Sequence, residues 1–258
     1  MDTNTEKIPN DNLVAEEPWR TFTLTHVDYP AGDPIGKTLA IISLLPLIIV
    51  IIFITFFVAK RDLHTMVYGI GVILNGILNY VLKHTIKEPR PNSESHSSTL
   101  GAHSKGVIRD STKLFEEYGM PSSHSQFMWF VSTYMLLFVT FRLHHQKSCF
   151  QTLWKSLLCI TCLGLAGLVS FGRIYLHYHT WSQVIVGMAI GSSAALIWFL
   201  IVHFLLTPCF PWIASTRISE FFMIRDYTNI PNVMWFDYTN ARGEANKRVR
   251  KMSRAKQQ

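Results

Sequence analysis

Residues 38–59, TLAIISLLPLIIVIIFITFFVA, form an uninterrupted apolar run without a charged side chain. At about 1.5 Å per residue such a run can cross a hydrocarbon core of about 30 Å as a helix, and in that core a chain has only two options, helices or a closed barrel. The run lies too far into the chain, is too long and lacks the basic flank of a cleavable signal peptide, so it is expected to stay as an anchor. Of the 258 residues, 48% are hydrophobic and only 16% charged, against roughly 25% charged in soluble domains. Leu63 to Leu82, Ser125 to Phe141, Leu153 to Phe171 and Trp181 to Leu206 read as further spans. The expectation is an all-α, polytopic membrane helix bundle of about five transmembrane helices. Residues 1–37 form a non-cytosolic segment in this reading, 38–206 a transmembrane catalytic domain, and 207–258 a basic cytosolic tail.

The formal net charge is +7. A basic balance suits nucleic acid, anionic lipid or an anionic substrate, and position decides among them. The tail RGEANKRVRKMSRAK, Arg242 to Lys256, lacks interleaved aromatic residues and reads as a positive-inside signal near anionic membrane lipid, with no nucleic acid implied. If five spans alternate, the Lys60-Arg61 turn, the Arg142 to Lys155 connection and the tail share the cytosolic face, while the Lys83 to Ser123 and Gly172 to Thr180 loops meet on the other. Asn92 to Thr112, rich in Ser, Gly and His, reads as a flexible loop. Cys159 and Cys162 fall inside a span and read as small core filler rather than as a redox pair.

The chemistry gathers on the non-cytosolic face. Asn75, Asn79, Lys83 and Lys87 follow at i+4 steps and would draw one polar stripe down a helix, with Arg90 two turns beyond Lys83 on nearly the same face and Pro89 and Pro91 ending it. Ser123-His-Ser-Gln126 fits a capping box, which would place a helix start, an anion attractor, beside Ser122 and His124. Gln183 stands one turn beyond His179, and Arg173 six residues before it. Tyr175, Tyr178 and Trp181 read as an interfacial aromatic belt. Three cations and a helix start suit a phosphate or pyrophosphate. Two histidines suit phosphoryl transfer, one attacking phosphorus as neutral imidazole and the other giving a proton to the leaving oxygen. No Asp/Glu cluster accompanies them, so neither a metal nor another cofactor is implied.

The order Lys83-x6-Arg90-Pro91, Pro121-Ser-Ser-His124, Arg173-x5-His179 resembles the three signatures of the type 2 phosphatidic acid phosphatase superfamily. Within it, EPRP, YGMPSSHSQFMWF, YHTWSQV, EFFMIRD, IPNVMWF and THVDYPAGD resemble the dolichyldiphosphatase branch. The resemblance implies a lipid phosphatase type 2 core that removes one phosphate from dolichyl diphosphate on the lumenal side of the endoplasmic reticulum, returning the lipid carrier of protein N-glycosylation for reuse. It also implies that Lys83, Arg90 and Arg173 bind phosphate, that Ser122 and Ser123 add hydroxyl or backbone contacts, that His124 is the general acid and His179 the nucleophile. Three positions depart from the superfamily pattern: Ser123 replaces a glycine, Gly172 a serine, and Gln183 the aspartate that orients the nucleophile. A phosphatase for another lipid phosphate or isoprenyl diphosphate, and an inactive lipid-phosphate-binding scaffold, remain as alternatives.

Overall fold

The computed structural model describes residues 19–22, 27–30, 32–91, 118–142, 149–230 and 233–255. The expected loop Asn92 to Thr112 lies outside the described residues, as do residues 1–18 and the last three of the tail. A two-stranded antiparallel hairpin, β1 (Trp19–Phe22) and β2 (Val27–Pro30), precedes the bundle and is a small addition to an otherwise helical architecture.

The first apolar run is not one helix. It forms α1 (Pro34–Ile42) and α2 (Leu45–Lys60), separated at Ser43 and Leu44. Pro46 is the physical reason: it has no N–H to give to the Ile42 carbonyl, and its ring crowds that carbonyl. The break is taken up locally, with Leu44 N donating to Ile41 O at 3.0 Å and Ser43 Oγ to Ala40 O at 2.6 Å. Asp33 caps α1 by accepting from Ile35 N at 2.9 Å. No residue of α2 is fully buried: Ile49 and Phe53 pack partly on the core, Phe53 edge-on to Tyr68 at 4.6 Å, and most of the other side chains are exposed.

Helix α3 (Leu63–Ile86) starts on an Asp62 cap, α4 spans Ser123–Phe141, α5 Cys149–Tyr175 and α6 Trp181–Ile201. The last continues through a π turn and a 3-10 turn into α7 (Phe210–Ala214). Pro34–Lys60, Leu63–Ile86, Thr152–Tyr175 and Trp181–Ala214 are each long and apolar enough to cross a membrane. The remaining expected span, α4, is formed at 19 residues but is more polar, because its first turn is Ser-His-Ser-Gln and Ser132, Thr133 and Tyr134 follow. Those groups are tolerated because α4 sits against α3, α5 and α6 rather than lipid. Its contact with α6 is close: a Cβ added at Gly187 would fall 2.9 Å from Ser122 O, and one at Gly191 would overlap the Gln126 carbonyl. Small residues four apart let two backbones approach in this way. Tyr134 of α4 stacks on Tyr68 of α3 at 4.2 Å, and Tyr68 OH donates to Val131 O at 2.8 Å.

The segment after α7 folds back on the bundle. It carries α8 (Arg217–Phe222), then Arg225, whose backbone pairs with the α2–α3 turn through Leu63 N to Arg225 O at 3.0 Å and Arg225 N to Arg61 O at 2.8 Å. The basic tail is itself a helix, α9 (Val233–Ala255), tied to the same turn by Lys60 and Asp237. Thus Lys60, Arg61 and the tail gather at one end of the bundle, and the ends of α3 and α5 lie at the other.

Candidate active site

The buried stripe on α3 is Asn75, Asn79 and Lys83. Lys87 does not extend it: the helix stops at Ile86, and Lys87 takes a left-handed conformation (φ 54°) with its side chain exposed. Arg90 therefore does not reach the site by helical periodicity from Lys83, as the spacing suggested. It lies in the non-helical stretch 88–91, which is pinned by Gly119 N donating to Glu88 O.

Asn75 and Asn79 hold the start of α4. Asn79 Nδ2 donates to Gln126 Oε1 at 2.8 Å, and Gln126 Nε2 donates to Asn75 Oδ1 at 2.9 Å. Gln126 is fully buried, so its amide must find polar partners inside the bundle, and this need overrides the expected capping box with Ser123. The cap residue is Ser122, which makes no side-chain cap bond; its Oγ is buried without a hydrogen-bond partner, and its N–H donates to Gln183 O at 3.1 Å. Ser123 and His124 occupy the first turn, half-buried.

The end of α5 sets the second histidine. His177 adopts φ 54°, and Tyr178 N and His179 N both donate to Arg173 O, at 3.0 and 3.1 Å. This tight helix end leaves His177 exposed and turns His179 inward to 2% exposure. Arg173 is itself 4% exposed, with its guanidinium 4.5 Å from the centre of the Tyr178 ring. Tyr178 thus packs on Arg173, whereas Trp181 is 63% exposed, as an aromatic-belt residue would be. Tyr175 OH donates to Asp33 Oδ2 at 2.9 Å and ties α5 to the start of α1.

A capping box does occur, at the start of α6, where Gln183 N donates to Thr180 Oγ1 and Thr180 N to Gln183 Oε1. Gln183 Oε1 also meets His179 Nδ1 at 3.0 Å, and Gln183 Nε2 donates to Glu88 Oε1 at 2.9 Å and Pro89 O at 3.0 Å. Thr180 N can only donate and Pro89 O can only accept, so the amide orientation has no ambiguity. Nδ1 of His179 must then carry the proton, which leaves a lone pair on Nε2, buried and without a hydrogen-bond partner. Burial first, then the charges of Arg173 and Arg90, push the His179 pKa down to about 3; the Gln183 hydrogen bond pulls it up, and Lys83 adds a lesser push down. All three cations sense His179, and His179 is neutral at physiological pH.

Sequence reasoning did not single out Glu88, and it read Tyr178 as part of an aromatic belt. Glu88 lies inside the quoted EPRP stretch, but nothing in its spacing ties it to Gln183, 95 residues away. Among the described residues no group of three His, Cys, Asp or Glu side chains gathers.

Residues 64–206 match the PAP2 superfamily model. The chain is 48% identical to Dolichyldiphosphatase 1 of Mus musculus over 91% of this chain and 93% of that protein. It is 33% identical to Dolichyldiphosphatase of Saccharomyces cerevisiae over 86% and 84%, and 32% identical to Lipid phosphate phosphatase gamma of Arabidopsis thaliana over 86% and 91%. No solved structure matches the chain. A family model covering more than half of the chain and near-full-length relatives agree with the three signatures, and the chain belongs to the PAP2 superfamily, a multi-pass membrane hydrolase standing with its dolichyldiphosphatases.

Proposed function

We propose that this chain hydrolyses dolichyl diphosphate to dolichyl phosphate and inorganic phosphate at the lumenal face of the endoplasmic reticulum, so that the lipid carrier of N-glycosylation can be reused. The observation that carries the reading is His179: a buried neutral imidazole with an unpartnered Nε2, whose pKa responds to Arg173, Arg90 and Lys83 together. A nucleophile without a proton, surrounded by cations, fits an anionic electrophile. The relatives named as dolichyldiphosphatases supply the lipid diphosphate.

In the first step Nε2 of His179 attacks the terminal phosphorus, a P–N bond forms and the bridging P–O bond breaks. His124, as imidazolium, passes a proton to the departing oxygen of dolichyl phosphate. Lys83, Arg90 and Arg173 hold the equatorial oxygens, on which charge accumulates, and the uncapped start of α4 with Ser122 and Ser123 adds donors. In the second step neutral His124 takes a proton from water, the hydroxide attacks phosphorus, the P–N bond breaks and phosphate departs. His179 returns to its Nδ1–H form, held by Gln183.

Sidedness follows from the positive-inside rule applied to Lys60, Arg61 and the tail, which share one end of the bundle. In sealed microsomes an added protease should clip α9 and spare the 92–113 loop; cleavage of that loop would place the site on the cytosolic side. Substrate class is tested by giving the purified protein dolichyl diphosphate and phosphatidate in detergent. Release of phosphate from the diphosphate at a much higher kcat/KM supports the proposal, and a preference for phosphatidate overturns it.

A further inference from the structure

The superfamily signature places an aspartate where this chain has Gln183, and a neutral amide cannot by itself do all that a carboxylate does for an imidazole. The structure nonetheless brings a carboxylate to the same histidine, one residue further out. His179 Nδ1 meets Gln183 Oε1 at 3.0 Å, and Gln183 Nε2 meets Glu88 Oε1 at 2.9 Å, so the chain of bonds ends on a negative group contributed by the loop after α3. The link is sheltered. Gln183 is fully buried, and a Cβ at Gly119 would sit 2.6 Å from Gln183 Nε2, so the segment before α4 closes directly over the amide. Gly119 is in turn fastened to the Glu88 carbonyl, and Ser122 N–H to the Gln183 carbonyl at 3.1 Å.

We propose that Glu88 is a positioning residue for the hydrolysis: acting through Gln183, its carboxylate fixes the amide orientation and thereby the Nδ1–H form of His179. The inference rests on the reading of His179 as nucleophile. An amide can turn over and present its NH2 to the imidazole, which would force Nδ1 to accept and put the proton on Nε2, the atom that has to attack. Each acceptor opposite Nε2 of Gln183 opposes that flip. The Pro89 carbonyl supplies one at 3.0 Å, and Glu88 supplies the charged one, whose hydrogen bond is the stronger of the two. A carboxylate accepts only, so a flipped amide would set its oxygen against a negative oxygen. Glu88 does not touch the reacting atoms. It stands two residues before Arg90 in the same non-helical stretch. Its function nevertheless depends on Gln183, and this dependence separates it from a general charge balance.

The test is a double-mutant cycle in the full-length protein in detergent, with dolichyl diphosphate as substrate: Glu88→Ala, Glu88→Gln, Gln183→Ala and the Glu88→Ala/Gln183→Ala pair. Loss of an outer hydrogen-bond partner typically costs about 10- to 100-fold, and Glu88→Ala should lower kcat by that much with KM changed less than about twofold. Glu88→Gln keeps an oxygen that can accept from Gln183 Nε2 and should recover most of the rate. The pair should be no slower than Gln183→Ala alone, because without the amide Glu88 has nothing to hold. Multiplying losses in the pair would overturn the proposal, as would a Glu88→Ala variant that turns over normally while Gln183→Ala does not. A raised KM with unchanged kcat would assign Glu88 to substrate binding and would also overturn it. If Gln183→Ala and His179→Ala both turned over normally, the nucleophile reading beneath the proposal would fail instead.

Discussion

The two ends of this bundle use similar cations in opposite ways. At the tail end, Lys60 meets Asp237 at 3.1 Å with 47% and 31% of the two side chains exposed. Such a pair in water is worth about 0–1 kcal/mol. At the other end Lys83 and Arg173 keep only 7% and 4% of their surface, and both bear electrostatically on a neutral imidazole. Withdrawing a cation from water costs several kcal/mol, and in the proposed function the substrate phosphate offsets part of that cost. Burial, and not residue type, distinguishes the two ends. Counting Lys and Arg along the sequence does not make that distinction.

The comparison breaks most sharply at the histidines. His179→Ala should reduce turnover at least about 10³-fold, since it removes the group that forms the covalent bond, while His177→Ala, at the exposed left-handed position, should stay within about threefold. Steady-state phosphate release from matched amounts of folded protein checks both. Next come the cations. Losing one preorganised donor to developing phosphate charge costs roughly 10²- to 10³-fold, the effect expected for Arg173→Ala and Lys83→Ala, whereas Lys60→Ala should stay within about twofold. Comparable losses at both ends would erase the contrast drawn above.

A smaller effect concerns the leaving group. Dolichyl phosphate departs more readily than an alkoxide, so a diphosphatase can accept a neutral Gln183, and a carboxylate there should help monophosphates more. Gln183→Asp, made with Glu88→Gln so that two carboxylates do not face each other, should raise the monophosphate-to-diphosphate rate ratio by about tenfold, a fraction of the roughly 10²- to 10⁴-fold that general acid–base assistance is typically worth. An unchanged ratio would separate Gln183 from substrate choice. The smallest expected effects are on metal and pH dependence. With three protein cations on the phosphate, as proposed above, EDTA should leave kcat within about twofold. Since His179 is held near pKa 3 by burial and those cations, it stays neutral between pH 5 and 8, so lowering the pH across that window should not silence the nucleophile. A loss of rate on the acid side that moves to higher pH in Arg173→Ala would point to titration of His179 after all.

Much of this arrangement was legible in the sequence because the signals were local. The apolar runs gave the helices, the i+4 repeat gave the Asn75–Asn79–Lys83 stripe, and i+4 spacing set Gln183 beneath His179. Where the reading went astray, a competing local pattern or a distant contact decided the outcome. Ser123 and Gln126 match a capping box by type and spacing, yet Gln126 is drawn inward by two asparagines some 50 residues away, and Thr180 and Gln183 form the box instead. Pro46 splits a run that hydropathy alone treats as continuous. Lys87 fits the stripe by number but ends the helix. Glu88 was out of reach because its partner lies on another helix, and Tyr178 because an aromatic at a membrane edge has an ordinary explanation until its ring is seen beneath Arg173.

The most direct test is to trap the intermediate. Protein mixed with dolichyl diphosphate labelled in its terminal phosphate and quenched within one turnover should carry an acid-labile, base-stable label, and peptide mapping should place it on Nε2 of His179. The label should persist in His177→Ala and vanish in His179→Ala. A protein that releases phosphate normally but never becomes labelled, or that carries the label on His124 or His177, would contradict the account of a single buried imidazole attacking among three cations.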